Sequence, residues 1–102
     1  MAKRQVVWTQ TADIQLTIVL EYWVNRTQSV TFSRKLLHKV TERTLQIAEK
    51  PQMYRKAGLE NIRVASMGNY SIYYKHSDKE LIVLAFWDNR QDSKELLHLL
   101  KR

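Results

Sequence analysis

The chain has no cysteine and only one proline and two glycines. Without cysteine there are no disulfides, no thiolate nucleophile and none of the thiolate ligands on which most structural zinc sites depend. The three histidines, His38, His76 and His98, are scattered without ligand-like spacing, so neither a metal nor another cofactor is expected. No apolar stretch approaches the roughly 20 residues that a membrane-spanning helix requires, and Met1-Ala2-Lys3-Arg4 is followed by no signal-like apolar core. The expectation is a cytoplasmic protein with no membrane partner. Internal repeats and low-complexity stretches are missing as well.

Negative charge is also short: 17 Lys and Arg stand against 10 Asp and Glu, a net +7 at pH 7. The excess is uneven, because Lys50, Arg55, Lys56, Arg63 and Lys75 face a single acid, Glu60, between Lys50 and His76. A basic concentration on a small domain attracts polyanions such as RNA, DNA or an acidic protein segment. With 102 residues, 44% hydrophobic and 26% charged, the chain fits one globular domain of two packed layers.

Gln5 to Trp8 is a short β-favouring segment. From Ala12 to Val24, apolar residues at Ala12, Leu16, Val19, Leu20 and Trp23 recur at three and four, and Ile14, Ile18 and Tyr22 widen the stripe. The pattern predicts a helix buried over much of its circumference, N-capped by Thr9 or Thr11, with Asp13 favourably placed in the first turn. A second helix is expected from Thr31 to Glu49, with Phe32, Leu36, Val40, Thr44, Ile47 and Ala48 inward and Lys35, Lys39 and Arg43 outward. Pro51 ends it. Only a few residues join the two helices, so they should form an antiparallel hairpin.

The second half reads as strands. Asn61 to Met67 alternates polar and apolar residues, Tyr70 to His76 is rich in aromatics, and Leu81 to Trp87 is a continuous apolar run. Gly68-Asn69 and Ser77-Asp78-Lys79 supply the turns of a meander, and Ser93 to Leu100 has the look of a short helix. The predicted architecture is an α+β domain in the order β-α-α-β-β-β, its twisted, mainly antiparallel four-stranded sheet covered on one face by the helix pair.

Function is expected where the last strand ends, at Asp88-Asn89-Arg90, because polar groups at the exit of a core strand are held by the sheet yet reach solvent. The plain alternative is a strand-to-helix turn capped by Asp92 or Ser93. Arg90 can clamp a phosphate or pair with Asp88 or Asp92. Arg63 belongs to a cleft if it faces the open side of the sheet, and to a buried ion pair if it faces the helices. Tyr70, Tyr73 and Tyr74 are candidates to stack on bases, although alternation sets Tyr73 opposite the other two, so at least one must be core.

Taken in order, Trp8, Ala12, Tyr22-Trp23, the Pro51 stop, the basic loop, Arg63, the Tyr-Ser-Ile-Tyr-Tyr strand from Tyr70 and the Leu-Ile-Val-Leu-Ala-Phe-Trp strand ending near Arg90 resemble the RelE/ParE superfamily of type II toxin–antitoxin toxins. The likeness covers nearly the whole chain, so residues 1–102 read as one toxin domain. It implies growth arrest relieved by a cognate antitoxin that binds an open sheet face or edge in a hetero-oligomer. RelE-like members cut mRNA on the ribosome without a metal; ParE-like members poison DNA gyrase with no nuclease site.

For the nuclease, the resemblance implies Arg63 and Arg90 as phosphate clamps, Asp88 or Glu60 as proton carriers, and Arg55, Lys56, Tyr70 and Tyr73 as RNA-binding residues. Three departures stand against it. Ser71 replaces an arginine common in nuclease members, Asp88-Asn89 replaces a His or Tyr, and the final helix lacks the tyrosine of some members. The function expected is nonetheless a toxin that inhibits translation by ribosome-dependent, metal-free mRNA cleavage and is neutralised by a cognate antitoxin; the alternative is a non-enzymatic gyrase poison, or a degenerate, non-toxic domain that binds nucleic acid or a partner.

Overall fold

The computed structural model describes residues 3–100. Its elements are β1 (Gln5–Trp8), α1 (Gln10–Thr27), α2 (Thr31–Glu49), a single 3₁₀ turn (Pro51–Met53), β2 (Arg55–Lys56), β3 (Arg63–Met67), β4 (Tyr70–His76), β5 (Glu80–Asp88) and α3 (Ser93–Leu100). The strands form one sheet in the order β1-β5-β4-β3-β2. β1 runs parallel to β5, and every other pairing is antiparallel. The expected four strands become five, because two residues of the basic loop, Arg55 and Lys56, pair with Val64 and Arg63. A two-residue strand is too short to leave a period-2 signature.

The helix signals work locally as expected. Thr9 Oγ1 accepts from Ala12 N at 3.2 Å, satisfying one of the orphan amides of the first turn of α1. Ser29 Oγ accepts from Thr31 N at the start of α2. Asp92 Oδ1 accepts from Lys94 N at 2.9 Å, so Asp92 caps α3; the other candidate cap, the Ser93 side chain, lies outside the described residues.

α1 is less buried than its sequence suggests. Ala12 and Leu16 are core, while Ile14, Ile18 and Tyr22 lie about half exposed. β1 covers only the first half of β5, pairing with Glu80 to Val83. α1 lies along the rest, where Gln15 Oε1 accepts from Phe86 N at 2.9 Å. One stripe of α1 therefore meets the sheet and α2, and the flank beside Gln15 is left outside. Phe32 is likewise half exposed rather than inward, resting against Trp23 with ring centroids 4.7 Å apart.

A β-bulge decides what each face of the sheet carries. Tyr73 pairs with Ala85 and Tyr74 with Val83, which leaves Leu84 as the extra residue of β5. An extra residue reverses the alternation beyond it. Leu81, Val83 and Phe86 consequently all face the helix hairpin, in one core with Leu16, Leu36, Val40, Ile47, Ile72 and Tyr74. Ala85 and Trp87 turn to the opposite face with Val64 and Tyr73, under Leu96 of α3. The helix pair covers one face of the sheet, as expected, and α3 packs on the other. Full burial of Leu96 is worth about 1.5–3 kcal/mol, which is what anchors a helix this short.

Tyr74 ties the hairpin to the sheet. It is fully buried, and its hydroxyl donates to the Pro51 carbonyl at 2.5 Å. Burial pushes its phenol up to about 12, against the opposing pull of the nearby Arg63 charge. No helix of the described residues is long and apolar enough to cross a membrane.

Candidate functional site

The sheet separates the residues expected to act together. Along β3, Ala65 and Met67 face the hairpin and Val64 faces away, so alternation puts Arg63 on the hairpin side. Its guanidinium donates to the Tyr54 carbonyl at 2.6 Å, bracing the segment before β2 without an ion pair. Lys56, the cross-strand partner of Arg63, lines a separate hollow with Arg63, Glu60 and His76. Burial, then the charges of Arg4 and Arg63, hold the His76 imidazole below its ordinary range, so it stays neutral at pH 7. Tyr70 is also on the hairpin side, where its hydroxyl accepts from Trp23 Nε1 at 2.9 Å and its ring stacks on Phe86.

At the end of β5, Asp88 lies across from Tyr70. Its carboxylate is engaged from two sides by Arg90, with Nε at 3.0 and 3.1 Å from its two oxygens and Nη2 at 2.6 Å from Oδ2. The Arg90 amide adds a further bond to Oδ1 at 2.9 Å. These hydrogen bonds hold the Asp88 carboxyl below its ordinary value despite partial desolvation. Such a group is a carboxylate at neutral pH, with no proton to give and little basicity. Arg90 in turn is held by Asp88, while the rest of its side chain is open to solvent.

Of the sequence candidates, only Arg55 and Tyr73 reach the opposite face. Together with Ser71, Trp87, Asn89 and Gln91 they line a pocket of about 290 Å³ beside α3. Ser71 is buried, and its hydroxyl donates to Asn89 Oδ1 at 2.7 Å. The Asn89 backbone is fixed in turn, its amide donating to the Asn69 carbonyl at 2.8 Å. Trp87 packs under Leu96, and its indole N–H has no partner. Among the described residues, the lining of this pocket carries no titratable side chain apart from the Tyr73 phenol and the Arg55 guanidinium, and no carboxylate or imidazole. Among the described residues, no three His, Cys, Asp or Glu side chains gather to hold a metal ion.

Asn89, Gln91 and Trp87 were not expected to share a pocket. The β4–β5 register would have placed Ser71 opposite Trp87, but Leu84 hides that register inside an uninterrupted apolar run.

A parallel strand pair closing on an antiparallel meander, a helix hairpin on one face and a short helix on the other make a small α+β fold. The family profile described as "ParE toxin of type II toxin-antitoxin system, parDE" matches residues 6–93. The chain belongs to this ParE toxin family. Among solved structures it is similar in fold to a chain of the chromosomal ParDE TA system from P. aeruginosa, with a TM-score of 0.71 over 84% of this chain and 96% of that one. The identity is 13%, so this likeness concerns the fold alone. No match is found among curated proteins.

Proposed function

We propose that this toxin arrests growth by docking on DNA gyrase rather than by cutting mRNA on the ribosome, and that a cognate antitoxin neutralises it in a hetero-oligomer. The observation that carries this reading is the neutral Ser71–Asn89 hydrogen bond, which stands where a metal-free ribonuclease needs charge and a proton carrier. Attack by a ribose 2′-OH requires a base to take its proton, an acid to supply the leaving oxygen, and cations beside the phosphate. Among the described residues, the pocket offers one cation, Arg55. Asp88, the remaining carboxylate candidate, is tied to Arg90 and held ionised. A docking toxin needs none of these groups. It needs a rigid, basic, partly apolar surface, and the net charge of +7 with the exposed Ile14, Ile18 and Tyr22 flank is consistent with that.

The test has two arms run on the same induced cells and the purified protein. Inhibition of gyrase supercoiling in vitro, with unchanged mRNA 5′ ends by primer extension, supports the proposal. New 5′ ends within codons, with supercoiling unaffected, overturn it. Expression without growth arrest overturns toxicity itself and leaves a partner-binding domain.

A further inference from the structure

Trp87 is 8% exposed, and its indole Nε1 is the only buried side-chain nitrogen or oxygen lacking a hydrogen-bond partner among the described residues. Buried polar groups are almost always paired, so an unpaired one on a residue that lines a pocket marks a place where an acceptor is wanted, although the N–H itself is covered in the free chain. The surroundings have the same polarity. Arg55 reaches the pocket from β2 and makes no salt bridge among the described residues. Ser71 commits its proton to Asn89 Oδ1, which leaves the Asn89 NH₂ as a donor. Gln91 adds a second amide. Neither nearby acid supplies the acceptor, because Asp88 is held by Arg90 and Asp92 by the Lys94 amide.

We propose that this pocket receives a carboxylate side chain, Asp or Glu, from the antitoxin segment that covers the toxin. One guanidinium at the pocket, with one indole N–H that an acceptor meets as the lining side chains part, matches a single negative charge with two acceptor oxygens. A nucleic-acid strand fits less well. It brings a phosphate with every nucleotide and needs a row of cations, whereas Arg55 is the only cation lining the pocket among the described residues, and Lys56 and Arg63 open elsewhere. The aromatic walls, Tyr73 and Trp87, would shield the ion pair from water and strengthen it. The proposal rests on the antitoxin partnership that the family carries and stands whichever macromolecule the toxin attacks.

The experiment follows the indole ¹⁵N–¹H signal of Trp87 in the full chain, assigned by its loss in Trp87→Phe. The probes are acetylated, amidated hexaglutamate, its hexaglutamine analogue and hexauridylate. The expected result is a saturable Trp87 shift with hexaglutamate alone. Affinity should drop about tenfold in Arg55→Ala, an exposed residue whose loss leaves the core intact. The Lys35→Ala/Lys39→Ala double variant removes more charge from the outer face of α2 and should change affinity less than threefold. A silent Trp87 signal, an equal response to hexauridylate, or equal losses in the two variants would overturn the proposal. None of these readouts involves supercoiling or mRNA, so this inference and the gyrase reading fail separately.

Discussion

Replacing Tyr74 with phenylalanine should remove one hydrogen bond, leave the Pro51 carbonyl without its donor, and change almost nothing else. The carbonyl is buried against the ring, so an unmet acceptor should cost about 1–2 kcal/mol at pH 7. The pH dependence gives a second, independent reading. The phenol titrates at 10.0 when unperturbed and at about 12 in the fold. A raised folded value means that its stabilising contribution is complete below pH 10 and is lost as pH rises toward and past 12. Two units at about 1.4 kcal/mol each give a total loss of roughly 2–3 kcal/mol in the wild type that Tyr74→Phe does not suffer. The other tyrosines ionise in both proteins and cancel in the difference. Urea denaturation of both chains from pH 7 to 12.5 should therefore show the wild type ahead at neutral pH and the two stabilities crossing at about pH 11. A constant gap across that range would refute the buried, hydrogen-bonded phenol, as would an absorbance titration at 295 nm in which all tyrosines ionise together near 10.

Further expectations follow from the same geometry. Asp88→Asn should leave growth arrest nearly unchanged if no proton passes through this residue, and a loss of toxicity above about tenfold with the fold intact would restore it as a catalytic candidate. Because the Asp88 carboxyl is held below its ordinary value, its contribution is present above about pH 4 and disappears as pH falls through the lowered value; the stability difference between wild type and Asp88→Asn should close only in acid. Thr9→Ala should cost about 1 kcal/mol in chemical denaturation through the lost cap on Ala12 N. Leu96→Ala should cost about 2–4 kcal/mol and release α3 first, read as early amide exchange in Ser93–Leu100 with β5 still protected.

The helix hairpin and the meander were legible because their signals are local: a capping threonine, a 3–4 spacing, a proline stop, two turn dipeptides. The residues and motifs from Trp8 to Arg90, taken in their order along the chain, carried the superfamily resemblance. What the sequence concealed was parity. A run such as Leu81 to Trp87 has no polar residue to report which side faces which core, so the extra residue at Leu84 left no mark, and the division of Ala85 and Trp87 from Phe86 could not be read. The same silence dispersed the candidate site. Arg55 and Lys56 are neighbours in sequence and point to opposite faces, as do Tyr70 and Tyr73. The burial of the sheet on both sides was partly written in that apolar run, since a strand with one solvated face would alternate. The exposure of Ile14 and Ile18 was not, because helical periodicity says how wide a stripe is and nothing about how much of it a neighbour covers.

The parallel pairing of β1 with β5 has a consequence for the order of events during synthesis. Thr9, just past β1, hydrogen-bonds to Leu84, 75 residues further along the chain. At about 5–20 residues per second, several seconds pass between the appearance of the first strand and that of its partner. The hairpin can form early, but its apolar face has no sheet to rest on until β5 leaves the ribosome, and contacts at such separation are the slow ones. The sheet is thus incomplete for most of the chain's own translation. The pocket beside Trp87 and the surfaces around it first exist at the moment of closure.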